Sequence, residues 1–319
     1  MKRKVAVVLL NLGGPSSLDN VEEFLFSMFS DRHIIDVPAA FRFLIAKVLS
    51  KLRTKAAVEI YKLMGGRSIV LYETEKQASA LESSLNREGN NHYKVFVCMR
   101  HSDPRAANVL KLLCDYNADK VVLLPMYPQY SCVTTQSAIE DWFHNSHKTG
   151  ITFDTHIVWN YNQNAKYIDA MSELIMSVYR EAARVHPAPR ILFSAHGLPL
   201  SFIERGDPYM QLLQQTVRLI VSNLGIEKLD YVLCFQSKVG PLKWLEPYTT
   251  SELLRANSDN VPVVVVPVAF VSENSETCVE LDIEYKALFD ERRFFRVPAL
   301  GTDSIFIECL KDIVLGNCQ

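Results

Sequence analysis

Three glutamates, Glu276, Glu280 and Glu284, recur at every fourth position of FVSENSETCVELDIEY (270–285). On a helix that spacing stacks the carboxylates along one side. Like charges so placed cost roughly 0.2–0.5 kcal/mol per pair on an exposed helix, and more where water is scarce. Such a row either stands in solvent or turns inward, where a cation or protons must accompany it. His196, in SAHGLP (194–199), is the second candidate. A neutral imidazole binds divalent transition metals and accepts protons near neutral pH; a hydrogen-bonded structural histidine is the equal alternative. One histidine and a carboxylate row converging on a cleft suit a transient Fe²⁺-type cation. Glu276 would stand in the first helical turn, where the helix dipole favours an anion. A closed structural zinc site, with its four ligands, does not fit.

The elements that must position these groups follow from hydrophobic pattern. Short runs rich in Val, Ile and Leu predict strands at 4–10, 94–99, 120–125, 151–159, 190–194, 230–235 and 261–268. Their near-continuous apolarity implies burial on both faces and hence parallel pairing. Periodic apolar residues predict helices at 74–88, 104–116, 133–147, 165–183, 208–224 and 276–289. Strand–helix alternation means α/β with right-handed crossovers. The alternation runs twice, opened by VVLLNLGGP and by ILFSAHGLP. Two Rossmann-like domains are therefore expected, 1–160 and 161–319, each a parallel sheet flanked by helices, with a cleft between them. Ligands in open α/β sheets bind beyond the carboxyl ends of the strands. His196 and the acid row both fall in such post-strand positions, in the second half.

Composition bounds the rest. With 48% hydrophobic and 22% charged residues the chain is ordinary globular material, and a net charge of −2 supplies no field for nucleic acid. Seven cysteines, none in a Cys-x-x-Cys pair, argue against a disulfide framework or a cysteine zinc site and for a reducing, cytoplasmic setting. The N-terminal MKRKVAVVLLNLGGP reads as a first strand, since Gly-Gly-Pro ends its apolar run and no small-residue cleavage site follows. The next longest uncharged apolar run, 261–271, is too short to span a bilayer. GGP at 13–15 is not a dinucleotide fingerprint, and no phosphate-binding P-loop motif occurs. Aromatic residues crowd the post-strand loops: Tyr127, Tyr130, Trp244, Tyr248 and Phe270. Together they would line an apolar cleft for a flat ligand. In 38–68, apolar residues interleave with Arg42, Lys47, Lys51, Arg53 and Lys55. That stretch is either an amphipathic helix on the body or a partly exposed lip for a membrane or a hydrophobic acidic ligand.

Five segments in order, LLNLGGP (9–15), YPQYS (127–131), SAHGLP (194–199), CFQSKVGPLKWLEPYT (234–249) and FVSENSETCVELDIEY (270–285), resemble those of ferrochelatases, over nearly the whole chain. The resemblance implies a lyase of haem biosynthesis, a metal chelatase inserting Fe²⁺ into protoporphyrin IX held in the cleft between the domains. It makes His196 and Glu276 the catalytic and metal-facing pair, and Glu280 and Glu284 a path for protons or metal. It places Leu12, Arg100, Tyr127, Tyr130, Trp244 and Phe270 along the porphyrin, and Arg53 and Ser68 near its propionates. It makes 38–68 the lip of the pocket, with peripheral contact to the inner face of the membrane through 38–55. The first loop, NLGGP, resembles the protoporphyrin branch rather than the coproporphyrin III branch. Ferrous iron and porphyrin are then the partners, with no tightly bound cofactor. Only Cys309 and Cys318 lie near the end, so no [2Fe–2S] cluster is expected. Asn274 stands where the family commonly has histidine, and an amide takes no proton as imidazole does. A non-catalytic porphyrin or haem carrier on the same scaffold is the alternative. From the residues alone, a metal-dependent hydrolase is another.

Overall fold

A computed structural model describes residues 2–87 and 91–317. Eight strands form two four-stranded parallel sheets. The first contains β1 (Lys4–Asn11), β2 (His92–Met99), β3 (Lys120–Pro125) and β4 (Thr155–Ile157), in the order β2-β1-β3-β4. The second contains β5 (Arg190–His196), β6 (Tyr231–Gln236), β7 (Val263–Pro267) and β8 (Phe294–Arg296), in the order β6-β5-β7-β8. The two orders are the same, so the double alternation read from the sequence is a repeated topology. The chain divides into two compact units: residues up to Asn160 with those from Leu310 onward, and Tyr161–Cys309. The segment from Leu310 is thus part of the first unit, although chain order alone assigns it to the second.

The strands owe their parallel pairing to Val, Leu and Ile on both faces. All of β7 is buried, and so is β5 except for its last residue, His196. In the first unit Val8, Leu10 and Leu123 pack with Val109, Leu110 and Trp142 in one core cluster. In the second, Leu192, Val263 and Val265 pack with Leu253, Leu281 and Tyr285.

Three departures from the sequence pattern have physical causes. The predicted strand 151–159 shortens to three residues at a sheet edge, where only Val121–Leu123 of β3 offer partners. Its counterpart β8 lies within ERRFFR, whose charges hide it from a hydrophobicity reading. The stretch 38–68 contains one long helix, α2 (Ala39–Leu63), which buries only Ala46, Ser50 and Tyr61. Val21, Phe24 and Leu25 of the shorter helix α1 (Val21–Phe29) pack on Tyr61, Ala57 and Val58. Phe41, Phe43, Leu44, Val48 and Leu52 remain exposed.

The loop after β1 is held tightly. Gly13 has φ +90°, and a Cβ there would overlap Ser102. Gly14 lies against Ser68, whose N–H donates to Pro15 O at 2.8 Å. The left-handed backbone favours glycine because a side chain meets its own carbonyl there. Gly13→Ala is therefore expected to destabilise the first unit by about 1–3 kcal/mol, read as a lowered midpoint in chemical denaturation.

Candidate functional site

In the second sheet the strand order reverses between β5 and β7, the position where open α/β sheets bind ligands. His196 is the last residue of β5 and Glu276 opens the helix that follows β7. The imidazole Nδ1–H donates to Glu276 Oε2 at 2.7 Å, across 80 residues of sequence. Nε2 has no hydrogen-bond partner among the described residues, and the His196 side chain is 38% exposed. A carboxylate on one ring nitrogen fixes the tautomer and leaves the other nitrogen for a metal or a proton.

The helix carrying the acids, Glu276–Tyr285, is a π-helix rather than the predicted α-helix. Its wider turn, with bonds from i to i+5, changes which residues share a side. Glu280 stays with Glu276. The next group on that side is Tyr285, whose hydroxyl donates to Glu280 Oε1 at 2.8 Å. Glu284 is exposed and takes no part in this network.

Ser237 joins the two acids. Its N–H donates to Glu280 Oε1 at 2.8 Å, and its hydroxyl lies 2.5 Å from Glu280 Oε2 and 3.2 Å from Glu276 Oε2. It sits at φ +65°, a left-handed conformation uncommon outside glycine. Gln236, opposite His196 in the β5–β6 register, donates Nε2 to Glu280 at 3.0 Å. Tyr209 donates its hydroxyl to the His196 carbonyl at 3.1 Å. Sequence reasoning singled out none of Gln236, Ser237, Tyr209 or Tyr285. The post-strand position of Ser237 was the one available signal.

The titration of these groups diverges. Burial works to lower the His196 pKa, but the charge and hydrogen bond of Glu276, with Glu280 behind it, raise it above 6.5. Burial works to raise Glu276, but the imidazolium and the Ser237 hydroxyl hold it below the ordinary carboxylate value. At Glu280, burial and the neighbouring Glu276 charge prevail over three donors and raise the pKa. Protons thus settle on His196 and Glu280 in preference to Glu276.

Asn274 has a structural task here: its side-chain oxygen accepts from Glu276 N at 2.8 Å and caps the π-helix. Trp244 lies edge-on to His196 with ring centroids 6.3 Å apart, and its Nε1 is buried without a partner. Gly197 admits this packing, since a Cβ would come within 3.2 Å of the Trp244 ring and 3.0 Å of Gln236 O. Phe270 is half-buried in the loop after β7.

In the first unit Leu12, Arg100, Tyr127 and Tyr130 follow the carboxyl ends of β1, β2 and β3. Ser68 joins them through its bond to Pro15. The Arg100 guanidinium is already engaged: Nη2 donates to Asp31 at 2.9 Å, Nε to Ser137 at 2.7 Å, and Asp141 lies 3.5 Å from Nη1. Tyr127 has a buried hydroxyl without a partner. Tyr130 donates to Gln136 at 3.2 Å. Arg53 is exposed on α2, and no described residue ties it to that edge. A groove of about 440 Å³ between α1 and α2 is lined by none of these residues. Among the described residues, no group of three or more His, Cys, Asp or Glu side chains is disposed to hold a metal, and no helix is long and apolar enough to cross a membrane. Cys309 is buried; Cys318 lies outside the described residues.

Two parallel sheets of like order, one ending in a carboxylate-oriented imidazole, define a two-unit α/β protein of chelatase-like fold. SirB from Bacillus subtilis with Fe³⁺ shares that fold, with a TM-score of 0.54 over 98% of this chain and 95% of its own, at 10% identity. The family model for ferrochelatase matches residues 4–317. A ferrochelatase of Wolbachia sp. subsp. Drosophila simulans (strain wRi) is 50% identical over 98% of this chain and 99% of its own length. One from Rickettsia bellii (strain OSU 85-389) is 42% identical over 98% and 87%. The chain belongs to the ferrochelatase family.

The linkage of the His196–Glu276 pair to stability has a definite sign. The imidazole's share is fully present below its unfolded pKa and is lost as pH rises through the raised folded value. The carboxylate's share is lost as pH falls through the lowered value of Glu276. Glu276→Gln removes the attraction, so His196 is expected to titrate at lower pH than in the wild type, measured by the imidazole resonance in an NMR titration.

Proposed function

We propose that this protein is a lyase of haem biosynthesis that inserts Fe²⁺ into protoporphyrin IX and releases two protons. The observation that carries the reading is the His196–Glu276 bond through Nδ1, which leaves Nε2 unpartnered at a strand end. Two pyrrole N–H protons must leave as the metal enters, and a flat ring hides its nitrogen lone pairs. Binding that puckers the ring exposes them, the strain being offset by contacts to the periphery. Trp244 and Phe270 supply apolar contact to the ring. Leu12, Ser68, Tyr127 and Tyr130 are proposed as further porphyrin contacts, and Arg53 as a cation for the propionates.

His196 Nε2 accepts a pyrrole proton or meets the incoming metal. Glu276 holds the imidazole and stabilises its charged form. Glu280, whose affinity for a proton is raised, receives protons through Ser237. Ferrous iron is substrate here, and two protein groups suffice to handle it in transit. We also assign α2 a peripheral contact with the inner face of a bilayer. Exposed Phe41, Phe43, Leu44, Val48 and Leu52 beside Lys47 and Lys51 support it.

Anaerobic mixing with protoporphyrin IX and Fe²⁺, followed in the visible spectrum, tests the reading. His196→Ala is expected to lower metal insertion by roughly 100-fold or more while porphyrin still binds. Full insertion by that variant refutes the assignment, and binding without insertion by the wild type would mark a carrier. Glu280→Gln should slow turnover several-fold and leave porphyrin affinity unchanged, measured by steady-state kinetics beside a porphyrin titration.

A further inference from the structure

Arg296 lies on β8, far from His196 in sequence but in the same sheet. Its guanidinium makes a forked pair with Asp282, Nε to Oδ1 at 2.7 Å and Nη2 to Oδ2 at 2.6 Å. The same guanidinium donates Nη1 to Glu273 Oε1 at 2.6 Å. Glu273 precedes the π-helix by three residues and Asp282 lies within it, so the two acids bracket Glu276 and Glu280.

We propose that Arg296 is a positioning residue: it references the π-helix to the sheet that carries His196, and so sets the Glu276 carboxylate against the imidazole. The inference rests on the proposed metal insertion for its meaning, though not for its geometry. Arg296 pairs with Val265 of β7, and β7 pairs with β5, so the guanidinium and His196 share one hydrogen-bonded frame. The π-helix is outside that backbone frame; Gln236 and Ser237 tie it at Glu280 on the β6 side, and Arg296 ties it on the β8 side. Asn274 caps the helix start but lies in a loop, which cannot itself supply a fixed reference. The bidentate fork does supply one, because its planar geometry fixes direction as well as distance.

Removing the guanidinium leaves Glu273 with one donor among the described residues, Ala299 N at 2.9 Å, while its Oε2 is buried without a partner. A carboxylate so placed moves toward water. Its neighbour Asn274 moves with it, and with Asn274 the cap on Glu276.

The test is a double-mutant cycle in metal insertion. Arg296→Met is expected to lower kcat by about 10–100-fold with the KM for porphyrin unchanged, and Arg296→Lys to recover part of the loss. In a Glu276→Gln background the same Met substitution should cost about twofold or less, because residues acting through one group are non-additive. Losses that multiply in full across the two backgrounds overturn the proposal, since a general loss of stability would act in both. If Arg296→Met does not fold, Asp282→Asn breaks the fork at a half-exposed carboxylate and is expected to show the same pattern to a smaller degree. Hydrogen exchange in the metal-free protein decides the matter independently of activity. The amides of Glu276–Glu280 should exchange faster in the variants while those of β5 and β7 do not change; unchanged exchange in the π-helix overturns the clamp. A wild type that inserts no metal would remove the proposed function and leave the exchange result to judge Arg296.

Discussion

One hydrogen bond organises the second unit: Nδ1 of His196 to Glu276, 2.7 Å long, between a strand end and the first turn of a helix. Neither group is worth much alone in this setting. A buried imidazole prefers to be neutral and a buried carboxylate prefers to be protonated. Paired, the carboxylate stays ionised and makes the imidazole the better base, and the neutral ring keeps Nε2 free to face whatever enters. Tyr209 steadies the His196 carbonyl, and Ser237 adds a hydroxyl to the carboxylate side. Both contacts help fix one side chain's position relative to the other.

The acids of the π-helix divide by partner. Glu276 and Glu280 turn toward His196, Ser237, Gln236 and Tyr285. Asp282 turns toward Arg296 and so adds no unpaired charge to the side that holds protons. Glu284 is in solvent. The wider π turn makes the division possible, because it brings Tyr285 under Glu280. A row of like charges is thereby reduced to a pair, with a phenol donor as the third member.

Much of the fold was legible because hydrophobic runs state their own burial: seven of the eight strands announce themselves as Val, Ile and Leu. The eighth, FFR, was invisible because three residues amid arginines carry no period. His196 and Glu276 were legible as post-strand residues of the right chemistry, and the recurrence of motifs in order nominated the side chains proposed above as porphyrin contacts. The network behind them was not. Ser237, Tyr209 and Arg296 are common residue types whose roles arise from tertiary register, such as the pairing of His196 with Gln236. The period of the acid helix was misjudged because spacing by four fits an α-helix, and nothing local distinguishes an i+5 pattern from it.

The engagement of Arg100 has a consequence for how the first unit meets anions. Asp31, Asp141 and Ser137 occupy its donors, and Arg105 stands 3.9 Å from Asp141 as a second cation. His101 beside them is buried and held neutral, its pKa lowered to about 3 by burial and by the nearby arginines. Two cations and two anions cancel, so this cluster presents no net charge to a ligand. It behaves as a rivet that stiffens the sheet edge, and its donors are spent within the protein, whereas Arg53 on α2 is exposed.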